Sequence, residues 1–355
     1  MSEGRTVRIG VIGAGKIAHV HAKHYKGTPG VELVGVADVV PGKAEQYAAE
    51  WGISPEHAFT DYRDLLEKVD LDAVSICTYN QAHRAPTVDA LAAGKHVLLE
   101  KPMAASLADA QEIMRAWESS GRILMVSFQP DFSTEHRAAK AIVESGTLGE
   151  IYFAETVAHR RWGIPGGTFM KKSTAGFGTL VDIGVYALHT ALWMMDDPKP
   201  VSVSAMTADF LAKSFTGVAS GWGGKWSRED VEVEEFASAY IRFENGATLV
   251  FKTAWASNVD SMGRTFFLGT QGGMALDPLE IYVNQQIAGL NMTATPKGLK
   301  PVDEWAEKMR AFVEAVRDGG PSPVDPRGVY LTNVIMDGIA RSAALGYEVK
   351  VDCDY

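Results

Sequence analysis

The stretch that decides the fold is Val7-Arg-Ile-Gly-Val-Ile-Gly13-Ala-Gly15-Lys-Ile-Ala18. An apolar strand runs directly into two glycines, and a helical pattern follows. Gly13 permits a tight turn, and Gly15 lets another molecule approach the backbone closely. With alanine in the third position, this spacing is the fingerprint of a dinucleotide-binding βαβ unit, in which a pyrophosphate lies at the helix N-terminus.

An acidic residue follows at the distance that this fingerprint requires. Asp38 ends the second predicted strand, twenty residues after Ala18, where a carboxylate accepts hydrogen bonds from the hydroxyls of an adenosine ribose. The same carboxylate repels a 2′-phosphate, and Val39 and Val40 follow it instead of an arginine. The sequence therefore predicts NAD as the cofactor, and the nearby Lys43 keeps NADP as the less favoured alternative.

The strand-then-helix pattern continues to about Ser127. Its strands are apolar on both faces, which is typical of a parallel sheet covered by helices on both sides. After Gly149 longer, alternating segments follow with few helices, and Asn245-Gly246 between two of them is a hairpin signal. We expect an α/β chain, with a doubly wound Rossmann sheet over residues 1–128 and a largely antiparallel domain over residues 129–355. Further helices are predicted near 178–195, 303–317 and 326–345, and the last could pack back on the first domain.

Composition excludes several classes of function. The 355 residues carry 34 basic and 44 acidic side chains, a net charge of −10 without a basic patch, so we expect no nucleic-acid partner. Cys77 and Cys353 cannot form a disulfide framework, and we find neither a signal peptide nor a membrane-spanning run, so a soluble cytoplasmic protein is predicted. Of the three histidines on the first helix, only His21 and His24 share a face. No carboxylate or cysteine accompanies them, so we predict a solvated helix and no metal site.

A candidate catalytic lysine ends another predicted strand. The segment Lys95-His-Val-Leu-Leu-Glu100-Lys101-Pro102 leads from that strand into a proline, which restricts the backbone of the residue before it. Lys101 is therefore expected at the carboxyl end of a parallel strand, where ligands bind in open α/β sheets. A lysine there can polarise a hydroxyl that is being oxidised and can stabilise the negative charge that develops on it.

With these pieces in place, the chain resembles the Gfo/Idh/MocA oxidoreductases, named for glucose–fructose oxidoreductase and inositol dehydrogenase. The matching motifs occur in the family's order and cover the chain to about residue 285. They are Gly13-x-Gly15-x-x-Ala18, Thr78-Tyr-Asn80-Gln-Ala-His83, Ala93-Gly-Lys-His-Val-Leu-Leu-Glu-Lys-Pro102, Thr147-Leu-Gly-Glu-Ile151 and Asp182-Ile-Gly184-Val-Tyr186.

The resemblance implies a Rossmann domain followed by an α/β domain with a large open sheet. It implies reversible hydride transfer between nicotinamide and a secondary hydroxyl of a sugar, polyol or related carbohydrate. It also implies a homodimer or homotetramer packed through that sheet, because an uncovered apolar face would be a large exposed patch. The cofactor-binding residues carried over by the motifs are Gly13, Gly15, Lys16, Ile17, Ala18, Asp38, Thr78, Asn80, His83, Glu100 and Lys101.

One motif departs from the family's commonest pattern. Many members read Asp-x-Gly-x-His-x-x-Asp, whereas this chain reads Asp182-Ile-Gly-Val-Tyr186-Ala-Leu-His189. A tyrosine in the histidine position is similar to the glucose–fructose oxidoreductase and dihydrodiol dehydrogenase branch. The i, i+4, i+7 spacing predicts that all three side chains share one helix face. We expect that face and Lys101 to be catalytic and to contact the substrate, with Arg161 and Trp162 at the rim of the substrate site.

The sequence leaves two candidates for the group that takes the hydroxyl proton. A free tyrosine has a pKa of about 10, and a nearby ammonium would lower that pKa by favouring phenolate. A free histidine has a pKa of about 6.5 and needs no such help. We rank Tyr186 paired with Lys101 first and His189 second, with Asp182 orienting whichever partner it reaches.

Two rival functions and a set of aromatic residues also stay open. A retained NAD could oxidise a glycoside transiently, promote elimination and be restored, which would give net glycoside cleavage. A non-catalytic NAD-binding sensor would need no proton-transfer set, and Lys101, Asp182 and Tyr186 argue against it. Tryptophans of the second domain could stack on a sugar ring, although aromatic residues in a sheet are more often core or interface. These tryptophans are Trp222, Trp226 and Trp255.

Overall fold

In the computed structural model, which describes residues 5–214, 226–285 and 289–355, the chain divides into two compact units. The first unit runs to Phe132 and includes Asp303–Tyr330 and Tyr355. The second unit comprises Ser133–Val302 and Leu331–Asp354. Of the three predicted tryptophan candidates, Trp222 lies outside the described residues.

The first unit is built on a six-stranded sheet in which every pair of neighbouring strands is parallel. Its strand order, β3-β2-β1-β4-β5-β6, is the order of a Rossmann fold, as the sequence predicts. The elements of this region are β1 (Val7–Ile12), α1 (Lys16–Lys26), β2 (Val31–Ala37), α2 (Lys43–Trp51), β3 (Ala58–Phe59), α3 (Tyr62–Lys68), β4 (Ala73–Ile76), α4 (Arg84–Ala92), β5 (His96–Leu99), α5 (Leu107–Ser120) and β6 (Leu124–Val126).

The second unit contains a nine-stranded sheet and a central helix, in agreement with the predicted open, mostly antiparallel sheet. The helix begins with a π-helical turn, Leu180–Gly184, and continues as α8. The elements up to residue 294 are α6 (Thr134–Glu144), β7 (Ile151–His159), α7 (Lys172–Ala175), α8 (Val185–Met194), β8 (Pro200–Ala208), α9 (Phe210–Ser214), β9 (Phe236–Phe243), β10 (Thr248–Ala254), β11 (Phe266–Gly269), β12 (Gly272–Ala275), β13 (Glu280–Gln285) and β14 (Leu290–Ala294).

The remaining elements are α10 (Glu304–Asp318), α11 (Pro326–Leu345) and β15 (Val349–Lys350). Helix α10 belongs to the first unit, and α11 passes from the first unit into the second after Tyr330. Strand β15 pairs antiparallel with β8 and ends the large sheet, whose order is β14-β13-β12-β11-β7-β10-β9-β8-β15. The segment that rejoins the first unit is therefore α10 with the first turn of α11.

Pairing in the large sheet is antiparallel except between β7 and β10, which run parallel. The predicted Asn245-Gly246 hairpin joins β9 and β10, with Arg242 opposite Thr248 and a φ of +86° at Gly246. Alternation along β9 buries Ala237, Ala239, Ile241 and Phe243 on one face, because that face lies against the protein interior.

The opposite face of the sheet is open to solvent among the described residues. Cross-strand register places Tyr240, Leu268 and Tyr282 on that face, and each is more than a third exposed. An ion pair of 2.6 Å between Lys252 and Glu155 lies among them. This face therefore combines apolar side chains with paired charges.

One helical stretch has the length and composition of a membrane span, which the sequence analysis did not predict. It runs over Lys172–Met194 and has a mean hydropathy of 1.2. Because 67% of its most apolar window is buried inside the protein, it packs as a core helix does. Its apolar character is explained by burial against the large sheet, to which the Thr156 hydroxyl adds a hydrogen bond of 3.1 Å to the Ala187 carbonyl.

Candidate active site

The turn between β1 and α1 can be made only by glycine. Gly13 has a φ of +91°, and a Cβ there would lie 2.9 Å from the carbonyl carbon and oxygen of Cys77. Gly15 precedes α1, and a Cβ on it would meet no protein atom within 4 Å. The first turn of α1 carries no acidic side chain. The positive end of the helix thus faces open space beside a bare backbone, which fits a pyrophosphate.

The three residues after Gly15 differ in what they can offer a cofactor. The Lys16 side chain is exposed, Ile17 packs partly against the apolar cluster beside β1, and Ala18 is fully buried. Only Lys16 can therefore bring a side-chain charge to a bound phosphate, while Ile17 and Ala18 fix the helix on the sheet.

Asp38 follows β2 with its carboxylate held in place. The backbone N–H of Ala14 donates to Oδ2 at 2.8 Å, and that of Val40 donates to Oδ1 at 2.9 Å. Each oxygen keeps a second lone pair, so both can accept from ribose hydroxyls as well. The exposed Val39 and Val40 lie beside it, 78% and 46% exposed. The geometry fits an adenosine ribose.

His83 joins two loops at the carboxyl ends of β4 and β5. It is fully buried, with Nδ1 2.8 Å from the Pro102 carbonyl oxygen and Nε2 3.2 Å from that of Thr78. Burial lowers the pKa of His83 by more than its contacts with the two carbonyl oxygens raise it. The Thr78 hydroxyl donates to the Ala82 carbonyl at 3.1 Å, which closes the turn that contains Asn80. His83, which the resemblance assigns to cofactor binding, has both ring nitrogens directed at backbone carbonyls inside the protein.

Glu100 also turns inward. Its carboxylate is buried, with Oε1 2.8 Å from Nε2 of His21 and 3.9 Å from Nζ of Lys308. Burial alone would raise the pKa of Glu100, but the His21 hydrogen bond and the Lys308 charge outweigh burial and hold it at about 2. The Glu100 side chain, predicted to contact the cofactor, therefore contacts other side chains of the first unit. Lys101, the next residue, is partly exposed.

The sequence analysis missed two residues that lie close to the Glu100 carboxylate, His21 and Lys308. His21 is predicted on a solvated helix but is fully buried, because it lies on the apolar stripe that Ala18, Ala22 and Tyr25 form along α1. Lys308 is fully buried in α10 between Trp305 and Phe312. A titratable residue within the apolar stripe of a helix is the signal that could have identified both.

In the second unit, Asp182 has two partners that fix its carboxylate. Its Oδ2 accepts from Nε1 of Trp255 at 2.8 Å and from Nη1 of Arg160 at 3.2 Å. Trp255 is fully buried, so it holds the carboxylate rather than offering a stacking face to a sugar. Arg160 also donates to the Gly163 carbonyl at 3.1 Å. The Asp182 carboxylate is therefore anchored from β7 and β10.

The two residues predicted at the substrate rim have different surroundings from those expected. Arg161 forms a 2.5 Å ion pair with Asp260 at the surface, where both side chains are more than half exposed. Trp162 is partly buried against an apolar cluster that contains Ile164, Met170 and Trp255. The neighbouring Arg160, not Arg161, joins Asp182, because successive residues of an extended segment point to opposite sides.

The candidate catalytic helix begins irregularly and is clamped by one glutamate. Asp182 lies within the π-helical turn, a conformation that is frequent at functional sites. Glu234 Oε1 accepts from the backbone N–H groups of Gly178 at 2.7 Å and of Leu180, the first residue of that turn, at 3.1 Å. Farther along α8, Tyr186 is partly exposed, whereas His189 is 3% exposed. Tyr186 therefore has more of the access that proton exchange with a substrate requires.

The Glu234 clamp predicts a pH dependence of stability. Burial raises the pKa of Glu234 to about 7, so the stability linked to its protonation is present below about 4.5 and is lost as the pH rises through about 7. We expect the free energy of unfolding to fall by up to about 3 kcal/mol over that window. Glu234→Gln should flatten the fall in denaturant titrations at about pH 5 and about pH 8, and the exposed control Glu244→Gln should not. If the free energy of unfolding of Glu234→Gln fell between about pH 5 and about pH 8 as much as that of the wild-type protein, Glu234 would not be the group responsible.

Among the described residues, no group of three or more histidine, cysteine, aspartate or glutamate side chains is placed to hold a metal ion. The fold, the Gly13–Gly15 turn and the Asp38 carboxylate define an NAD-binding Rossmann oxidoreductase with a second domain built on a large open sheet. Residues 7–128 match the profile described as oxidoreductase family, NAD-binding Rossmann fold, and residues 136–275 match the GFO/IDH/MocA C-terminal domain. The chain belongs to the Gfo/Idh/MocA family of oxidoreductases, as its motifs predict.

Similar proteins cover nearly the whole chain. D-glucoside 3-dehydrogenase of Escherichia coli is 31% identical over 349 residues, which span 97% of each chain. Inositol 2-dehydrogenase of Rhizobium meliloti is 31% identical over 352 residues, 98% of this chain and 99% of that one. A solved structure of levoglucosan dehydrogenase in complex with NADH and levoglucosan superposes with a TM-score of 0.78 at 22% identity, covering 98% of this chain and 100% of that one. The predictions of fold, enzyme class and NAD as cofactor are confirmed.

Proposed function

We propose that this protein is an NAD-dependent dehydrogenase that transfers a hydride between nicotinamide and a secondary hydroxyl of a sugar, polyol or related carbohydrate. The observation that carries the proposal is the rigid nucleotide cradle of Gly13, Gly15 and Asp38, in a chain similar along its whole length to enzymes named for a glucoside and for inositol. Enzyme relatives of this kind also weigh against the non-catalytic sensor.

In this proposal both units of the chain contribute residues to the reaction. Bound NAD supplies the hydride acceptor, and the Gly15 turn, the α1 N-terminus and Asp38 would hold it. Lys101 donates a hydrogen bond to the reacting oxygen and stabilises its developing negative charge. Tyr186 accepts the hydroxyl proton. Asp182, whose carboxylate is held by Arg160 and Trp255, contributes a fixed negative charge in the same unit as Tyr186.

A substrate panel tests this proposal. The purified protein is incubated with NAD and with D-glucosides, inositols, anhydrosugars and sugar acids, and NADH formation and released aglycone are both measured. Oxidation of at least one compound with stoichiometric NADH supports the dehydrogenase. Aglycone release without net NADH would instead assign the rival function, glycoside cleavage by transient oxidation.

Cofactor preference is a separate prediction. Asp38 offers acceptors to ribose hydroxyls and repels a 2′-phosphate, so we expect NADP to bind more weakly than NAD by about 2–4 kcal/mol. Dissociation constants for both cofactors measure this difference. Asp38→Ser should narrow it, because serine keeps a short acceptor for the Ala14 N–H but carries no charge. Equal or tighter NADP binding by the wild-type protein would contradict the prediction.

Assembly is proposed to use the open face of the large sheet. Tyr240, Leu268 and Tyr282 leave apolar surface there, and such a face is stabilised by a second copy. We expect a homodimer or homotetramer by light scattering at micromolar concentration. Leu268→Glu should shift it towards monomer, whereas Tyr347→Glu, an exposed change outside the sheet strands, should not. A monomeric wild-type protein would refute this assembly.

We also propose the cytoplasm as the protein's compartment. Both cysteines are free thiols in the structure, with Cys77 buried and Cys353 partly buried. A reducing environment suits that state. Fractionation of cells that express the full chain tests this proposal.

A further inference from the structure

Five segments of the first unit contribute to a buried cluster of side chains around the Glu100 carboxylate. They are α1 with His21, β4 with Ser75, β5 with the Glu100 that follows it, the segment after β6 with Ser127, and α10 with Lys308. Glu100 is 6% exposed and the other four side chains are fully buried. The cluster contains neither the glycines of the fingerprint nor the candidate proton-transfer residues. Its central residue, Glu100, directly precedes Lys101 in the chain.

The hydrogen bonds of the cluster fit one arrangement of protons. Burial lowers the pKa of His21, and in the neutral ring that this favours, Nε2 donates to Glu100 Oε1 at 2.8 Å while Nδ1 accepts from the Ser75 hydroxyl at 2.7 Å. Lys308 Nζ donates to the Ser127 hydroxyl and lies 3.9 Å from Glu100 Oε1. The neutral His21 ring thus donates one hydrogen bond to Glu100, and Lys308 carries the positive charge that compensates the Glu100 carboxylate.

Burial makes that charge necessary. A carboxylate removed from water is strongly disfavoured unless it is paired, and loss of one partner leaves an uncompensated charge. Burial lowers the pKa of Lys308 to about 8, against the attraction of Glu100, so the ammonium stays charged at neutral pH. Lys308 also lies 3.8 Å from the centre of the Trp305 ring, so its own helix contributes a second favourable contact.

Lys101 is therefore flanked by two anchored residues. On its N-terminal side Glu100 is held by His21 and Lys308, and on its C-terminal side the Pro102 carbonyl lies 2.8 Å from Nδ1 of His83. We propose that Lys308, on a helix more than two hundred residues away in the chain, is a positioning residue for the reaction. It neutralises Glu100 and thereby fixes the backbone that presents Lys101. The proposal rests on the role proposed above for Lys101.

The test replaces Lys308 with methionine, which keeps length and apolar volume but removes the charge. We expect Lys308→Met to lower kcat about tenfold, to leave the Kd for NADH within about threefold, and to speed hydrogen exchange of the Glu100, Lys101 and Met103 amides. The Glu100→Gln/Lys308→Met double variant removes both charges and should recover most of the lost kcat and exchange protection. Arg310→Met, an exposed change on the same helix, is the matched control.

Each outcome decides the proposal. A folded Lys308→Met protein with wild-type kcat and wild-type exchange at Glu100, Lys101 and Met103 would overturn it. So would a double variant no better than the single one, because charge balance would then be irrelevant. If Lys308→Met fails to fold, the double variant and Glu100→Gln alone carry the comparison. Exchange and NADH titration need no sugar, so they decide the role of Lys308 even if the wild-type protein oxidises no carbohydrate.

Discussion

Replacing Lys101 with alanine is expected to lower kcat by about a hundredfold or more, because a positioned general acid–base or electrostatic group contributes about 10²–10⁴ to the rate. The Kd for NAD should change little, since the Gly13–Gly15 turn and Asp38 are untouched. Lys101 follows β5 between two anchored residues, so truncation removes an ammonium without loosening the sheet. Steady-state kinetics and a cofactor titration on the same preparation measure the two quantities.

The control for this variant is Lys23→Ala, which removes an exposed ammonium from α1 in the same unit. It should leave both kcat and the Kd for NAD unchanged. If Lys101→Ala weakened NAD binding as much as it lowered kcat, the lysine would belong to the cofactor site alone. If Lys101→Ala remained active on the true substrate, the proposed site would be misplaced.

Tyr186→Phe is expected to have an effect of the same order, a loss in kcat of about a hundredfold or more, because it removes the proton-carrying oxygen and keeps the packing of the ring. His189→Asn should be much milder, since His189 is 3% exposed and has less access to a substrate than Tyr186. The order of the two losses is measured on one substrate across the pH range of activity.

Tyr152→Phe is the matched control, because Tyr152 is 53% exposed on β7 of the same unit. Its kcat should equal that of the wild-type protein. A nearly silent Tyr186→Phe together with an inactive His189→Asn would move the proton-transfer role to the imidazole. Equal, small losses of kcat in both variants would show that neither side chain of this helix takes part in proton transfer.

The Rossmann half could be predicted from sequence because its signals are local. The apolar strands and the fingerprint from Gly13 to Ala18 are patterns of a few residues, and Asp38 follows Ala18 at a fixed spacing of twenty residues. Parts of the second sheet escaped prediction for physical reasons. Strand β12 begins with Gly272 and Gly273, and every residue of the edge strand β14 is exposed, so neither shows the alternation that marks a half-buried strand.

The chemistry of the candidate site was less accessible to sequence reasoning. Arg160 and Arg161 are equivalent in the sequence, and only the register at the end of β7 shows which of them reaches Asp182. The π-helical turn at Asp182 has no sequence signature that the motif reveals. Glu100 is part of a family motif, but the hydrogen-bond donor and the cation that turn it inward come from α1 and α10, which tertiary folding alone brings together.

The proposed function depends on direct hydride transfer from a carbohydrate carbon to the nicotinamide. Its most direct test uses the best substrate from the panel, deuterated at the carbon that bears the reacting hydroxyl, and mass spectrometry of the reduced cofactor. We predict one deuterium in each NADH formed and a carbonyl at that carbon of the product. Unlabelled NADH, or conversion of the substrate with no net NADH, would contradict it.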